Sequence, residues 1–285
     1  MTVSRSSPEG EIIPPIGPPV PVPDYTPTEI SGSDPAQQRE TRRSRGVDLF
    51  AAPATYVLVG INCAVFLWMV FSGVSFQSPT SNDLVHFGAN STALVLDRGQ
   101  WYRLLTATFV HVGWIHLATN MWCLWNLGML GEPLLGPFGL VAVYMLTGIA
   151  CNLLSMAVNV SQNNDSVGAG ASGAVFGIAG ILIVLLSNRK LPIPWEELRR
   201  LRRSVIQFAV LNLVIGGATI FVDVIRIDNF AHLGGFFSGL ALGVPLVPRM
   251  TSGRQRYLLR QKFTFALAAL ALALFGYWIA NLHGR

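Results

Sequence analysis

Charge is what this chain has least of: only 12% of its 285 residues are Asp, Glu, Lys or Arg. Soluble domains carry about a quarter, so the composition excludes an ordinary water-soluble globule and points into a bilayer. Cysteine is nearly absent too. Cys63, Cys123 and Cys151 all fall inside apolar runs, where thiols serve as small hydrophobes, so no disulfide and no metal site are expected. The stretch from His111 to His116 holds no acid, which argues against an H-E-x-x-H zinc protease, and no cofactor is expected. No internal repeat with matching motifs is visible, unlike transporters built from inverted repeats. No cleavable signal peptide is read at the start. The first fifty residues are polar, and nine of the seventeen prolines lie between Pro8 and Pro35. Residues 1–50 therefore read as a disordered Pro-rich tail, short of apolar surface to bury.

Long apolar runs are what the chain does have. A helix needs about 20 apolar residues to cross the bilayer core, and seven runs approach or meet that length: 54–72, 115–130, 138–159, 168–187, 205–222, 230–247 and 263–280. Backbone groups in lipid must bond within their own segment, so the runs predict helices and an all-α membrane protein. The cations are segregated. Arg39, Arg42, Arg43 and Arg45 precede the first span. Arg189, Lys190, Arg199, Arg200, Arg202 and Arg203 lie between the fourth and fifth. Arg249, Arg254, Arg256, Arg260 and Lys262 lie between the sixth and seventh. Seven spans put all three groups on one side, expected to be cytoplasmic along with the N-terminus. Residues 51–250 then form the core, and 251–285 a basic linker and a last helix. The partners expected are the bilayer and other membrane proteins, with no nucleic acid; the oligomeric state is left open.

About forty residues separate the first two spans on the outer side, and many are apolar: Phe76, Leu84, Val85, Phe87, Leu94, Val95, Leu96, Trp101 and Tyr102. This loop is expected to fold on the bundle or lie in the interface. Asn90, Asn159 and Asn164 each begin an N-x-S/T triplet on the same side.

Polar residues inside spans are costly and mark function by default. Three clusters stand out: His111-x-x-x-x-His116-x-x-x-Asn120, Gly170-Ala171-Ser172-Gly173 and Ala231-His232-Leu233-Gly234-Gly235. At 1.5 Å per residue, Ser172 falls roughly 8 Å below its polar loop and His232 roughly 5 Å below Asn229, so the two share a level. At about 100° per residue, His116 and Asn120 share a face, while His111 is turned away by roughly 140°. Gly173, Gly177 and Gly180 form one small-residue stripe, and Gly235 and Gly239 another beside His232; such stripes let helix backbones approach closely. The chemistry this permits is acyl transfer. His232 takes the Ser172 proton and returns it to the leaving amine. The Ser172 N–H, with His116 and Asn120, supplies donors to the oxyanion. No acid is well placed as a third member; Asp223 and Asp228 read as a solvated loop, so a dyad is the economical assignment.

Together the clusters resemble the rhomboid family. Gln100-Trp101-Tyr102-Arg103 precedes His111, His116 and Asn120; Gly170 to Gly173 gives G-x-S-G; Ala231, His232, Gly235 and Gly239 give A-H-x-x-G-x-x-x-G. The resemblance runs from about Phe87 to Gly243. It implies a bundle of six core helices plus one C-terminal helix, and a serine endopeptidase that cuts transmembrane protein substrates. It implies Ser172 and His232 as the dyad, and His116 and Asn120 at the oxyanion. Trp101, Arg103, His111 and Glu132 would be structural, with Arg103 and Glu132 holding the first loop and Glu132 in the turn after span two. Many members carry a tyrosine four residues after the serine; Phe176 stands there and keeps a ring face to stack on the imidazole. A non-proteolytic relative that binds membrane clients is the rival, though such relatives typically lack the serine or the histidine. A bacterial inner membrane is the expected setting.

Overall fold

A computed structural model of the chain describes residues 52–218, 228–247 and 253–283; the Pro-rich tail and Asp223 lie outside them. The described residues form ten helices and, between Asn90 and Gly168, one isolated antiparallel bridge. Seven are long: α1 (Pro53–Phe71), α5 (Trp114–Leu135), α6 (Pro137–Gln162), α7 (Ser172–Leu185), α8 (Trp195–Ala218), α9 (Asn229–Leu246) and α10 (Arg254–His283). Three short ones, α2 (Ser81–His86), α3 (Thr92–Leu96) and α4 (Arg103–Thr106), build the loop after α1. The molecule is an all-α membrane bundle, and its seven long helices match the seven apolar runs.

Local chemistry sets the helix ends. Pro53 and Pro137 open α1 and α6, where a missing N–H costs nothing. Gly136, at φ +76°, makes the one-residue turn that reverses α5 into α6. Thr80 and Asp83 form a capping box on α2, and Ser91 caps α3.

Helix α7 is the centre of the bundle. Every residue from Gly173 to Ile181 is buried, as an all-round apolar helix requires. Around it pack Leu124 of α5, Leu140 and Tyr144 of α6 and Leu242 of α9. At 14 residues α7 is about 21 Å long, short of a bilayer core of about 30 Å. Among the described residues α1, α6 and α10 are each long and apolar enough to cross alone; the shorter or more polar helices stand within the bundle they form.

The first loop folds on the bundle, as its composition predicts. Leu84 and Val95 are buried. Asn152 of α6 donates to Leu104 O (2.9 Å), and Asn159 donates to Thr92 Oγ1 (3.2 Å). Phe76, Trp101 and Tyr102 remain exposed. Asn90 and Asn159 are buried and hydrogen-bonded, so two of the three N-x-S/T triplets are closed to glycosylation.

Candidate active site

The helix α9 meets α7 backbone to backbone. A Cβ on Gly235 would strike the Gly173 carbonyl, and one on Gly239 would lie 2.8 Å from the Gly177 carbonyl carbon. On its other side Gly173 accommodates Cys151 of α6, and Gly177 accommodates Thr147. The two glycine stripes read in the sequence therefore face one another. Two short side chains can bridge such a contact, and they do: His232 Nε2 lies 2.9 Å from Ser172 Oγ. Phe176, one turn along α7, stacks on the His232 ring at 4.4 Å and 18°, and its other neighbour is Phe208 of α8 at 6.0 Å.

Ser172 is the first residue of α7 rather than one inside a helix begun at 168. Depth counted at helical rise from residue 168 therefore does not apply, because Gly168 to Ala171 is non-helical backbone. That segment is held from three sides. Gly168 pairs with Asn90, the Gly170 N–H donates to Ala107 O (2.9 Å), and the Ala171 N–H reaches His111 Nε2 (3.4 Å). As a helix-opening residue, Ser172 presents its N–H outward with no intrahelical acceptor. Gly170 carries φ +129°, and a Cβ there would meet His116 Cε1 at 2.6 Å and approach Asn120 Nδ2 to 3.7 Å. Glycine is thus required twice over, and His116 and Asn120 line the turn that leads into Ser172.

Two hydrogen bonds assign the histidine tautomers. Val112 N–H donates to His116 Nδ1 (3.4 Å), which leaves the His116 proton on Nε2, on the side of the ring that faces Gly170. His111 accepts at Nε2 from Ala171, so its Nδ1–H donates to Phe109 O (3.1 Å). His111 is fully buried, its ring 5.4 Å from His116. It is not turned away: it precedes α5, where the chain is non-helical and helical rotation does not govern direction.

Arg103 holds the first loop, donating to Val85 O (2.7 Å), Ala89 O (2.9 Å) and Gln100 Oε1 (2.6 Å). Glu132 does not touch that loop. It lies in the last turn of α5 and accepts from the Ala54 and Thr55 amides (2.9 and 2.8 Å) and from Thr55 Oγ1 (2.8 Å). It thereby satisfies the open N-terminus of α1, at the end of the bundle remote from Ser172. Trp101 packs against Gly276 of α10. Asp228 is not a solvated loop acid. It caps α9, accepting from Ala231 N (2.9 Å), and takes a hydrogen bond from Ser155 of α6. Its place three residues before Ala231, at the edge of an apolar run, is an N-cap signal the sequence reading passed over.

The comparisons with known proteins identify the family. A model of the Rhomboid domain matches residues 98–249, more than half of the chain. The chain belongs to the rhomboid family. The rhomboid region takes in every motif residue from Gln100 to Gly239 and leaves out α10. Over 196 residues the chain is 35% identical to Rhomboid protease GluP of Bacillus subtilis, covering 67% of this chain and 35% of that one. Over 183 residues it is 32% identical to RHOMBOID-like protein 7 of Arabidopsis thaliana, covering 62% and 54%. Over 216 residues it is 30% identical to Rhomboid protease AarA of Providencia stuartii, covering 70% and 74%. The chain thus spans about a third of the first relative and about half of the second. Family and helices together make this a multi-pass membrane protein.

Proposed function

We propose that this rhomboid is an intramembrane serine endopeptidase that cleaves transmembrane protein substrates through a Ser172–His232 dyad. The observation that carries the reading is the 2.9 Å contact between Ser172 Oγ and His232 Nε2. The Ser172 hydroxyl donates to Nε2, and its Oγ attacks the scissile carbonyl as the proton passes to the imidazole. The oxyanion then forms beside three donors: the Ser172 N–H, the His116 Nε2–H and, after rotation away from its bond to His116 O (3.0 Å), the Asn120 amide. When the C–N bond breaks, the imidazolium returns its proton to the leaving amine. Water activated by the same imidazole then cleaves the acyl-enzyme and regenerates Ser172. Phe176 holds the ring plane through both transfers.

The cationic segments support a dyad in the outer half of the bilayer and an N-terminus on the cytoplasmic side. Purified protein should cleave a model transmembrane substrate without added metal or cofactor. Ser172→Ala and His232→Ala should each lower the rate by about 10³-fold or more with unchanged thermal unfolding. Cleavage retained by Ser172→Ala would sink the mechanism. Two folded variants as inactive as a wild type that cuts nothing would favour the client-binding reading.

A further inference from the structure

His232 uses one ring nitrogen on Ser172 and leaves the other bare. Nε2 accepts from the serine hydroxyl, so the ring proton sits on Nδ1. Nδ1 is buried without a hydrogen-bond partner among the described residues, and the residue as a whole is only 6% exposed. When the serine proton arrives, this ring becomes a cation in an apolar surrounding. Its place in the helix adds to the cost. His232 closes the first turn of α9, its N–H taken by Asp228 O at 3.2 Å, and the positive end of a helix disfavours a cation. Without a counter-charge the proton transfer would run uphill.

A counter-charge stands one helical turn away. Asp228 precedes His232 by four residues, which puts the two on the same side of α9, about 6 Å apart along its axis. Asp228 and His116 are the titratable groups near enough to act on the ring through space, and of the two only Asp228 can be negative. Its carboxylate is fixed at both oxygens. Oδ1 accepts from the Ala231 N–H (2.9 Å), and Oδ2 accepts from the Ser155 hydroxyl of α6, itself buried. So held, it does not reach Nδ1 as the acid of a triad does. It acts by its charge alone.

We propose, resting on the Ser172–His232 assignment, that Asp228 is a positioning residue for the dyad: pinned by Ser155 and Ala231, its carboxylate stabilises the imidazolium that His232 becomes in each proton transfer. No step changes. The proton still passes from Ser172 Oγ to His232 Nε2 and on to the leaving amine, while Asp228 neither gives nor takes one.

Asp228 also caps α9, and two variants separate the cap from the charge. Asparagine caps a helix about as well as aspartate, and its amide can donate to Ser155 Oγ, but it carries no charge; glutamate keeps the charge and is no favoured cap. Purified full-length protein is assayed for kcat and KM on a model transmembrane substrate, beside thermal unfolding. Asp228→Asn should lower kcat by about tenfold or more, leave KM within about twofold and unfold near the wild-type temperature. Asp228→Glu should unfold earlier yet keep more of kcat than Asp228→Asn. Labelling of Ser172 by a small fluorophosphonate, which needs the base but no transmembrane substrate, should slow in the same order. Should Asp228→Asn fail to fold, Asp228→Ser, another uncharged cap, replaces it. A role confined to capping predicts the opposite order, with Asp228→Asn near the wild-type rate and Asp228→Glu slower, and that result would overturn the part given to the charge. A wild type that neither cleaves nor takes the label would overturn the dyad and Asp228's role with it. An active wild type equalled by Asp228→Asn would overturn the role of Asp228 alone.

Discussion

Two helices pack on the core of this molecule by opposite means. Helix α9 approaches α7 through glycines, so its position is fixed by backbone atoms that have nowhere to go. Helix α10 leans on the end of α5, on α6 and on the first loop through side chains. Gln261 donates to Leu135 O (2.9 Å), Phe265 meets Phe138 at 6.0 Å, Gly276 faces Trp101, and His283 lies 2.8 Å from Asp97. Much of its remaining surface, including Leu267, Leu270, Leu274 and Tyr277, faces outward. The rigid contact is the one that carries a serine and a histidine; the compliant one lies outside the rhomboid match. Close backbone packing is how a 2.9 Å contact between two short side chains on different helices is kept.

The same substitution placed in both interfaces separates them. Gly239→Ala drives a methyl group into the Gly177 carbonyl, where only helix displacement relieves it. It should destabilise by about 3 kcal/mol, with cleavage reduced further than unfolding explains, because α9 carries His232. Thermal unfolding in micelles beside a cleavage assay reads both. A Gly239→Ala protein of wild-type stability and rate would show that the glycine contact sets nothing.

Glu132 offers a middle case, rigid but remote from the dyad. Its carboxylate accepts three hydrogen bonds from Ala54 and Thr55 while only 2% exposed. Glu132→Gln keeps the shape but turns an NH2 group toward amide donors, and should cost about 1–3 kcal/mol. Because the bonds anchor α1 and not α7, the turnover of protein still folded should change little. A large fall in turnover at unchanged stability would tie α1 to the dyad more closely than these contacts do.

What the sequence disclosed and what it hid follow from physical range. The spans, the glycine stripes and the Phe176 ring are periodic features, and 100° per residue is enough to relate them. The His116–Asn120 face is legible for the same reason. His111 was misdirected because the chain before Trp114 is not helical, and no period describes it. The partner of Glu132 is seventy-seven residues distant at Thr55, a tertiary fact without a local sign. Asp228 had its sign, the N-cap spacing to Ala231, but its link to Ser155 depends on how α6 crosses α9. Local chemistry was readable; which ends meet was not.

Gly276→Ala is the counterpart of Gly239→Ala in the compliant interface, and the smallest effect expected. The added methyl group would lie 3.2 Å from Trp101 Cζ3 and 3.4 Å from Leu153 Cδ2, both side-chain atoms. Trp101 is 39% exposed and free to shift by a few tenths of an ångström. Alanine also improves a helix interior over glycine by about 1 kcal/mol, which offsets the crowding. The net change should fall within about 0.5 kcal/mol of zero, with cleavage at the wild-type rate. Destabilisation as large as that of Gly239→Ala would mean that α10 is clamped through Trp101 as tightly as α9 is through Gly177, and the contrast between the two helices would fail.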